Sequence, residues 1–233
     1  MGNLSLNDVK RNVTSPNKES KKLAEFFGIL TGDGYMNTYR KYDYVIEIAG
    51  NKLYDKDYLV IYVSNLIKEL FNVSPRYIEK KNQNSIYLRI RSKVIFNYLL
   101  NNDFKKGRKG NIKIPAWVIN NKEFMKYFIK GLFDTDGCIS IKNKEGKKYP
   151  VISITSKSNL LLLDVMNYVK SIEINSYITR YVHINPRYTH KLITYKLQVN
   201  GYSNLNLWFN LIGSSNKRNI NKYNFFKSYK TKA

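Results

Sequence analysis

The sequence predicts an α+β protein made of two similar halves, and three observations lead to this fold class. An apolar, helix-like pattern ends in "GILTGDGYMN" (28–37) with Asp33 between two glycines. The same ending returns in "GLFDTDGCIS" (131–140) with Asp136. After each aspartate, strand-like and helix-like segments follow in the same order. We therefore predict a duplicated α-β-β-α-β-β-α unit, whose period is too long for a solenoid repeat.

The first half is expected to span residues 21–119, after a polar N-terminal arm of residues 1–20. Its first helix should end near Gly34, a residue suited to the left-handed C-cap position. Two strand-like segments follow, "YMNTYRKY" and "YVIEIAG", and then "DYLVIYVSNLIKELF" repeats apolar residues at helical spacing. "SIYLRIRSK" alternates, which predicts a half-buried strand with a basic and aromatic outer face. "KVIFNYLLNN" is helical again.

The second half is expected to span residues 120–233 and to repeat this order. Its first helix begins near Lys122, where Asn120 and Glu123 have the spacing of a capping box. The strands are "CISIKNK", "VISITSK", "SYITRYVHI" and "KLITYKLQV", and the helices between and after them are "NLLLLDVMNYVKSI" and "NLNLWFNLIG". The closing "RNINKY" resembles "GNIKIP" at the end of the first half.

The composition points to a polyanionic partner. The chain has 40 Lys and Arg against 17 Asp and Glu, a formal net charge of +23, together with 20 Tyr. So large a surplus opposes compact folding unless a partner neutralises it, and a nucleic acid is the natural partner. The alternative is a basic surface that serves only solubility. One cysteine and two histidines exclude an intrachain disulfide, a cysteine-based zinc site and a histidine metal cluster. No run suggests a signal peptide or a membrane span, so we expect an intracellular protein.

The repeated aspartate is unusual because it lies at a helix C-terminus, which carries partial negative charge. An acidic residue there costs about 0.3–1 kcal/mol, so the pattern indicates that a cation balances it. Small residues recur one turn apart in both motifs (Gly28 and Gly32, Gly131 and Thr135), which allows two helices to approach closely. The alternative is that each Asp-Gly pair only forms a turn.

If the two motif helices pack against each other, Asp33 and Asp136 emerge side by side. Two such carboxylates repel, and one would keep its proton unless divalent cations bridged them. Ligation by oxygen alone suits Mg²⁺, which completes its shell with water and phosphate oxygens.

"FFGILTGDG" (26–34) and "IKGLFDTDG" (129–137) resemble the two signature motifs of the LAGLIDADG homing endonucleases. The resemblance extends over residues 22–228. It implies a monomer with pseudo-twofold symmetry, paired motif helices at the interface and two antiparallel, saddle-like DNA-binding sheets. It also implies a metal site at Asp33 and Asp136, with Gly32 and Thr135 beside them.

Two motif positions depart from the family pattern. Thr31 stands where the second copy has Asp134, a position that is not a metal ligand in the family. Lys130 replaces a small residue, and we expect its helix face to be exposed to solvent.

The resemblance further implies hydrolysis of one phosphodiester in each strand of a DNA duplex. Mg²⁺ is the expected cofactor; Mn²⁺ should substitute for it, and Ca²⁺ should support binding with little cleavage. Lys113 in "NIKIP" and Lys222 in "NINKY" are the candidate catalytic lysines, although a plain phosphate contact is an equal alternative for each. The outward residues of the strands are the candidate DNA contacts, whether to bases or to phosphates. They are Asn37, Tyr39, Tyr87, Arg89, Arg91, Ser140, Lys142, Ser153, Thr155, Thr194, Lys196 and Gln198.

Three other functions compete with this one. The first is a protein on the same fold that binds without cleaving, either a transcription regulator or a splicing maturase, for which intron RNA would be a partner. The second is the endonuclease part of an intein, and the third is an unrelated basic RNA-binding module. Both motif aspartates are present, which favours the enzyme, and the chain ends favour a free-standing one. The richness in Lys, Asn, Ile and Tyr is typical of AT-rich genomes, so the host compartment is an archaeal cytoplasm or an organelle.

Overall fold

A computed structural model describes residues 5–40, 42–107, 109–144, 146–184 and 191–230. A short helix, α1 (Leu6–Lys10), precedes the first half. The first half contains α2 (Lys21–Asp33), β1 (Gly34–Tyr39), β2 (Asp43–Asn51), a π-helical segment (Tyr58–Val63) that runs into α3 (Ser64–Phe71), β3 (Arg76–Glu79), β4 (Ser85–Arg91) and α4 (Lys93–Asn101). β3 is the one strand of this half that no sequence pattern singled out, because it is only 4 residues long and none of them is fully buried.

The second half repeats the order of the first, which confirms the predicted duplicated unit. After α5 (Ala116–Ile119) it contains α6 (Lys122–Asp136), β5 (Gly137–Lys144), β6 (Lys147–Ser156), α7 (Asn159–Ser171), β7 (Tyr177–His183), β8 (Leu192–Asn200), α8 (Tyr202–Leu211) and α9 (Lys217–Lys230). None of the helices in the described ranges is long and apolar enough to cross a membrane.

Each half forms one four-stranded antiparallel sheet, with strand orders β1-β2-β4-β3 and β5-β6-β8-β7. One face of each sheet packs on the helices and carries the alternating apolar residues that the sequence predicts. The buried members in the first half include Met36, Ile46, Ile48, Ile86, Leu88 and Ile90. The first strand of each sheet begins directly after the motif helix, and Gly34 pairs with Ile48 as Gly137 pairs with Ile154. Each motif aspartate therefore lies at the junction of a helix and a sheet.

The starts of the two motif helices are fixed by side-chain caps. The Ser20 hydroxyl accepts a hydrogen bond from the backbone of Leu23 at 3.2 Å. In the second half the Asn121 side chain accepts from Glu123 and Phe124. The predicted cap at Asn120 is therefore wrong by one residue, because Asn120 ends the short helix α5.

The helices α2 and α6 touch backbone to backbone. A Cβ atom on Gly28 would overlap the carbonyl of Phe128 and lie 3.0 Å from the Leu132 nitrogen. On the partner helix, a Cβ on Gly131 would overlap the carbonyl of Glu25. Further along the contact, Gly32 faces the Thr135 hydroxyl. The four small residues of the two motifs thus lie where the sequence predicts, at the contact between the helices.

The structure requires glycine after each aspartate for a reason other than the predicted left-handed cap. Gly34 has φ −79° and ψ 150°, an extended conformation, so the expected left-handed cap is wrong. A Cβ on Gly34 would lie 2.8 Å from Leu30 Cδ2, and one on Gly137 would lie 2.8 Å from Phe133 Cα. The chain folds back over the last helical turn as it enters the strand, which leaves no room for a side chain.

The expectation that Lys130 lies on a solvent-exposed helix face is wrong. Its side chain is 17% exposed and its Nζ lies 3.1 Å from Oε1 of Glu25, a residue buried in the helix interface. Tyr62 donates a hydrogen bond of 2.7 Å to the same carboxylate oxygen. A buried carboxylate requires a paired charge and hydrogen bonds, which explains a long basic side chain at a position where the family pattern has a small one.

We predict that Gly28→Ala destabilises the protein, because its methyl group would enter the space of the Phe128 carbonyl. Overpacking of this kind typically costs about 1–3 kcal/mol of unfolding free energy. Gly110→Ala is the matched control, since a Cβ there meets nothing within 4 Å. The measurement is urea denaturation of both variants; equal midpoints would contradict the close helix contact.

Candidate active site at the paired helix ends

Asp33 and Asp136 are the last residues of α2 and α6 and lie next to each other. A Cβ on Gly32 would be 3.4 Å from the carboxyl carbon of Asp136. Burial, and to a smaller extent the charge of Asp33, raise the pKa of Asp136 to about 7. Burial also raises the pKa of Asp33 to about 6, with a smaller increase from Asp55. The pair is thus held in an arrangement that its own charge opposes.

Each helix end carries a basic side chain from elsewhere in its own half. Lys109 Nζ donates to the carbonyls of Leu30, Thr31 and Gly32 at 2.8, 2.9 and 2.5 Å. Arg218 Nη2 donates to the carbonyls of Asp134, Thr135 and Gly137 at 3.3, 3.2 and 3.3 Å. The cation that the acidic helix ends require is therefore supplied in part by the chain itself.

These two cations also act on the aspartates. Lys109 and Arg218 both lower the pKa of Asp33 and of Asp136, against the larger effect of burial. In return, burial lowers the pKa of Lys109 to about 8, although both aspartates oppose this shift. The site is thus a compact group of two carboxylates and two cations at the end of the helix pair.

Lys113 and Lys222, the lysines singled out from the sequence, lie elsewhere. Lys113 is exposed, and its charge lowers the pKa of Asp164 against a larger effect of burial. Lys222 lies within α9 and donates to the Ile139 carbonyl at 2.9 Å. The residues at the helix ends come four positions earlier in each half.

A sequence signal for the cations does exist. "RKGNI" and "KRNI" both contain two adjacent basic residues followed by an Asn-Ile pair. In the first half one glycine separates the basic residues from that pair, and in the second half they are adjacent to it. The predicted lysines instead follow that pair. The similarity of the two segments thus indicates the region of the cations, and the residues that reach the helix ends are Lys109 and Arg218.

Contacts between the halves hold each cation-bearing segment. Asp55, from the first half, pairs with Arg218 Nη1 at 3.2 Å and accepts from the Asn216 amide at 2.9 Å. On the other side, the Ser158 hydroxyl of the second half donates to the Ile112 carbonyl at 2.7 Å. Lys109 lies close to Ile112 in sequence, so its segment is held by a neutral bond, whereas Arg218 is held by an ion pair.

Asp134, the motif carboxylate that has no counterpart in the first half, is buried and hydrogen-bonded within the protein. It is 1% exposed and accepts hydrogen bonds from the Ser214 hydroxyl and, at 2.8 Å, from the Ser215 backbone. Burial raises its pKa to about 6 despite these bonds. Asp134 therefore connects α6 to the loop that leads to Arg218.

Two recesses are lined by the cations of the helix ends, and Asp136 lines the first of them. One has a volume of about 350 Å³ and is lined by residues that include Gly32, Asp136, Lys109, Thr155 and Lys157. The other has a volume of about 320 Å³ and is lined by four cations, Lys52, Lys56, Lys217 and Arg218, and by Asp57, which pairs with Lys217. Each recess thus joins one of the two cations at the helix ends to lysines of a nearby loop.

Most of the predicted DNA contacts lie on the outer faces of the two sheets, as their register requires. In the first sheet the arginines of β4 face acidic residues of β2: Arg89 Nε is 2.6 Å from Glu47 and Arg91 Nε is 2.9 Å from Asp43. Asn37, Tyr39 and Tyr87 share this face, and Ser140, Lys142, Thr155, Thr194 and Lys196 lie on the corresponding face of the second sheet.

Ser153 and Gln198 are corrections to the predicted set. They pair with each other on the outer face but are only 5% and 4% exposed. Both occupy the middle of the sheet, where their register neighbours Cys138 and Tyr177 flank them and Thr179 lies within 3.4 Å of Gln198. Alternation gives the face of a residue but does not tell whether its neighbours cover it.

The oxygen donors at the helix ends fit a hard divalent cation. Within the described ranges no three His, Cys, Asp or Glu side chains cluster together, so protein carboxylates contribute only Asp33 and Asp136. The carbonyls of Gly32 and Thr135 already accept from Lys109 and Arg218, which leaves each a second lone pair. Mg²⁺ typically binds through one or two carboxylates and fills its shell with water and phosphate oxygens, so this sparse donor set is suitable.

Comparison with known proteins identifies the fold. Residues 123–213 match the family model of the LAGLIDADG-like domain. The chain has the LAGLIDADG homing endonuclease fold. A structure of a single-substitution variant of I-DmoI, in complex with its target DNA and in the presence of manganese, superposes with a TM-score of 0.57, at 19% identity, over 83% of this chain and 93% of that one. The family model covers the second of the two motifs, and the fold is the one that the resemblance of both motifs implies.

Two curated relatives also match this chain. An uncharacterized protein of Methanocaldococcus jannaschii is 32% identical over 150 residues, which are 63% of this chain and 52% of that protein. A DNA polymerase of Thermococcus sp. (strain GE8) is 26% identical over 164 residues, 70% of this chain but 9% of the polymerase. The chain thus spans about half of one relative and a small part of the other.

The raised pKa values predict that stability without metal falls as the pH rises. Asp33 and Asp136 bind protons more tightly in the folded state, with pKa values of about 6 and about 7, than at their ordinary value of 3.8. The free energy of unfolding therefore decreases with pH between about 4 and about 7. We expect the urea midpoint in EDTA to be higher at pH 5.5 than at pH 7.5.

The double variant Asp33→Asn/Asp136→Asn should show a smaller change between these two pH values, because it lacks both titrating groups. Mg²⁺ at pH 7.5 should restore stability to the parent and not to the variant. Identical pH profiles for parent and variant would contradict the burial of the pair.

Proposed function

We propose that this chain is a site-specific, metal-dependent endonuclease that cuts both strands of a DNA duplex. The observation that carries the proposal is the pair Asp33 and Asp136, held together at the abutting ends of α2 and α6 with Lys109 and Arg218 behind them. Cutting both strands of a duplex requires attack at two phosphodiesters, one in each antiparallel strand. Two near-equivalent halves, each with its own aspartate, suit this requirement.

The comparisons support a DNA duplex as the substrate. I-DmoI has been crystallised in complex with DNA and with calcium or manganese, and its fold is the fold of this chain. The outer sheet faces and the +23 net charge are consistent with the same partner. An antiparallel ribbon fits the major groove, and two sheets would cover two successive half-sites. We further propose that the chain acts as a monomer inside the cell, since it contains both halves.

The residues have distinct roles in this proposal. Asp33 and Asp136 hold Mg²⁺, with the carbonyls of Gly32 and Thr135 as further oxygen donors. A divalent ion held there would supply an activated water and would offset the negative charge that develops on the phosphate. Lys109 and Arg218 fix the helix-end carbonyls and add positive charge next to each recess, where one scissile phosphate would lie. Mn²⁺ should replace Mg²⁺, whereas Ca²⁺ should support binding with little cleavage because its coordination is less strict.

A nucleic-acid-binding protein that does not cleave is the second candidate, and one observation favours it. Lys109 and Arg218 already bring positive charge to the acidic helix ends, so the arrangement is not obviously dependent on metal. Such a protein would bind its site equally well with or without Mg²⁺ and would leave both strands intact.

The first test is the loss of cleavage in Asp33→Asn and Asp136→Asn. A target duplex is first selected by binding from a randomised library in Ca²⁺ and is then incubated with Mg²⁺. We expect each variant to lose double-strand cutting by at least about 10²-fold, since the remaining carboxylate cannot complete the site, and to keep its affinity in gel shifts.

Glu69→Gln is the control, because this carboxylate pairs with Lys22 on the surface near the opposite end of α2. It should cut like the parent. Binding without any cutting by the parent would establish the second candidate, and full cutting by either asparagine variant would remove that residue from the site.

The second test separates the two cations at the helix ends from the lysines predicted by sequence. Lys109→Met should reduce the cleavage rate by roughly 10²-fold at unchanged affinity, as expected for the loss of one charge that stabilises a transition state. Lys113→Met, four residues later and exposed, should have little effect. Arg218→Met and Lys222→Met form the equivalent pair in the second half. A larger loss in the Lys113 or Lys222 variant would reverse this assignment.

A further inference from the structure

The N-terminal segment is fastened to the first half by a buried carboxylate. Asp8 in α1 is 1% exposed, and its Oδ2 accepts from the backbone nitrogens of Lys93 and Val94 at 2.9 and 3.2 Å. Ser92 caps the next donor, that of Ile95, at 3.1 Å. Asp8 therefore satisfies backbone donors at the start of α4, where the helix dipole also favours a negative charge.

Further bonds fix the residues after α1. Arg11 pairs with Asp8 at 2.9 Å and also donates to the carbonyl of Arg91. The backbone of Thr14 donates to the Phe71 carbonyl at 3.0 Å. The segment that the sequence predicts to be an arm is thus attached, in residues 8–14, at defined points of the first half.

This attachment creates a basic cleft, which we call the N-terminal cleft. It has a volume of about 470 Å³ and lies between α1, the β1–β2 turn and the junction of β4 with α4. Four cations line it, Lys10, Arg11, Arg91 and Lys93, against a single carboxylate, Asp43. The remaining lining side chains are neutral, and those of Ser5, Asn7 and Tyr42 carry groups that can donate hydrogen bonds. This combination of charge and donors suits a phosphate diester.

The N-terminal cleft is continuous with the outer face of the first sheet. Arg91 belongs to both, because it pairs with Val45 in the strand register and lines the cleft. The level of the active site is marked by Gly34, which pairs with Ile48. Val45 comes three residues before Ile48 in β2, so its partner Arg91 lies about 10 Å from that level along the strand. The cleft therefore lies at the end of the sheet away from the paired aspartates.

We propose that the N-terminal cleft binds the sugar–phosphate backbone of duplex DNA beyond the part that the sheets cover. This inference rests on the proposed function, because the ligand is the duplex held on the sheets. Lys10 is the sharpest probe of it: its side chain is exposed, and no ion pair holds it among the described residues. Arg11 and Arg91, in contrast, are paired with Asp8 and Asp43. The contact adds affinity without base specificity, since phosphates carry no sequence information.

The test compares Lys10→Glu with Lys122→Glu, which makes the same change of charge at the start of α6. That helix has 15 residues, so Lys122 is about 20 Å from Asp136. Affinity for a labelled 40-base-pair duplex of arbitrary sequence is measured by anisotropy in Ca²⁺ over a range of salt concentrations. We expect Lys10→Glu to weaken binding several-fold and to lower the slope of log K against log salt by about 0.9, the loss of one phosphate contact. Lys122→Glu should change neither.

A second readout locates the contact. Cys138 is the only cysteine, so Cys138→Ser permits a single reactive thiol to be introduced. In this background, saturating duplex should slow maleimide labelling of Lys10→Cys at least about five-fold and leave labelling of Lys122→Cys unchanged. Protection at the first position supports the proposal even if the charge reversal alters the stability of α1.

The outcomes separate this inference from the proposed function. A parent that binds duplex steeply with salt, together with an unaffected Lys10→Glu and no protection of the introduced thiol, overturns the cleft and leaves the endonuclease standing. A parent that binds and is weakened as expected but never cuts DNA overturns the endonuclease and leaves the cleft. A parent that binds no duplex overturns both.

Discussion

The direct contact between α2 and α6 is the constraint on which the rest of the structure depends. Because Gly28 and Gly131 leave no side chain between the helices, the backbones themselves touch, and the two helix ends meet. Each sheet starts at the residue after its helix, so this one contact also sets the position of both sheets. The distance between the catalytic candidates and the orientation of the two outer faces are therefore not independent. A change that separates the helices would alter both at once.

The same contact creates an electrostatic problem that the chain answers with positive charge. Two carboxylates meet where two helix dipoles already concentrate negative potential, and burial removes the water that would screen them. Lys109 and Arg218 bond the exposed carbonyls and offset part of this potential, but the pKa values of Asp33 and Asp136 remain raised. The site is thus left with an unmet demand for positive charge, which a divalent ion can satisfy. The charged pair lowers the local stability of the protein without metal, and such a local loss of stability is common at functional sites.

The sequence predicts the features that depend on local spacing and misses those that depend on partners distant in the chain. The order of elements, the glycine contact and the facing of β4 follow from periodicity, and the structure agrees with them. Lys109 was missed because its importance comes from carbonyls about 77 to 79 positions earlier. Lys130 was assigned to the surface because nothing in its neighbourhood reveals Glu25 as a partner. Gly34 was given the wrong reason because a left-handed cap and a steric exclusion both select glycine.

A duplicated chain, unlike a symmetric dimer, allows its two halves to differ at a shared site, and the difference here lies in the support of the cations. Arg218 is tied by Asp55 of the other half, so part of its charge is already neutralised. The segment of Lys109 is tied by the neutral Ser158–Ile112 bond, and the described charges that raise the pKa of Lys109 are the two motif aspartates themselves. Arg218 therefore has an ion-pair partner outside the aspartate pair, whereas the carboxylates that act on Lys109 are the two motif aspartates. Two recesses that look equivalent from the chain topology are thus chemically unequal, because each half stabilises the cation of the other by a different interaction.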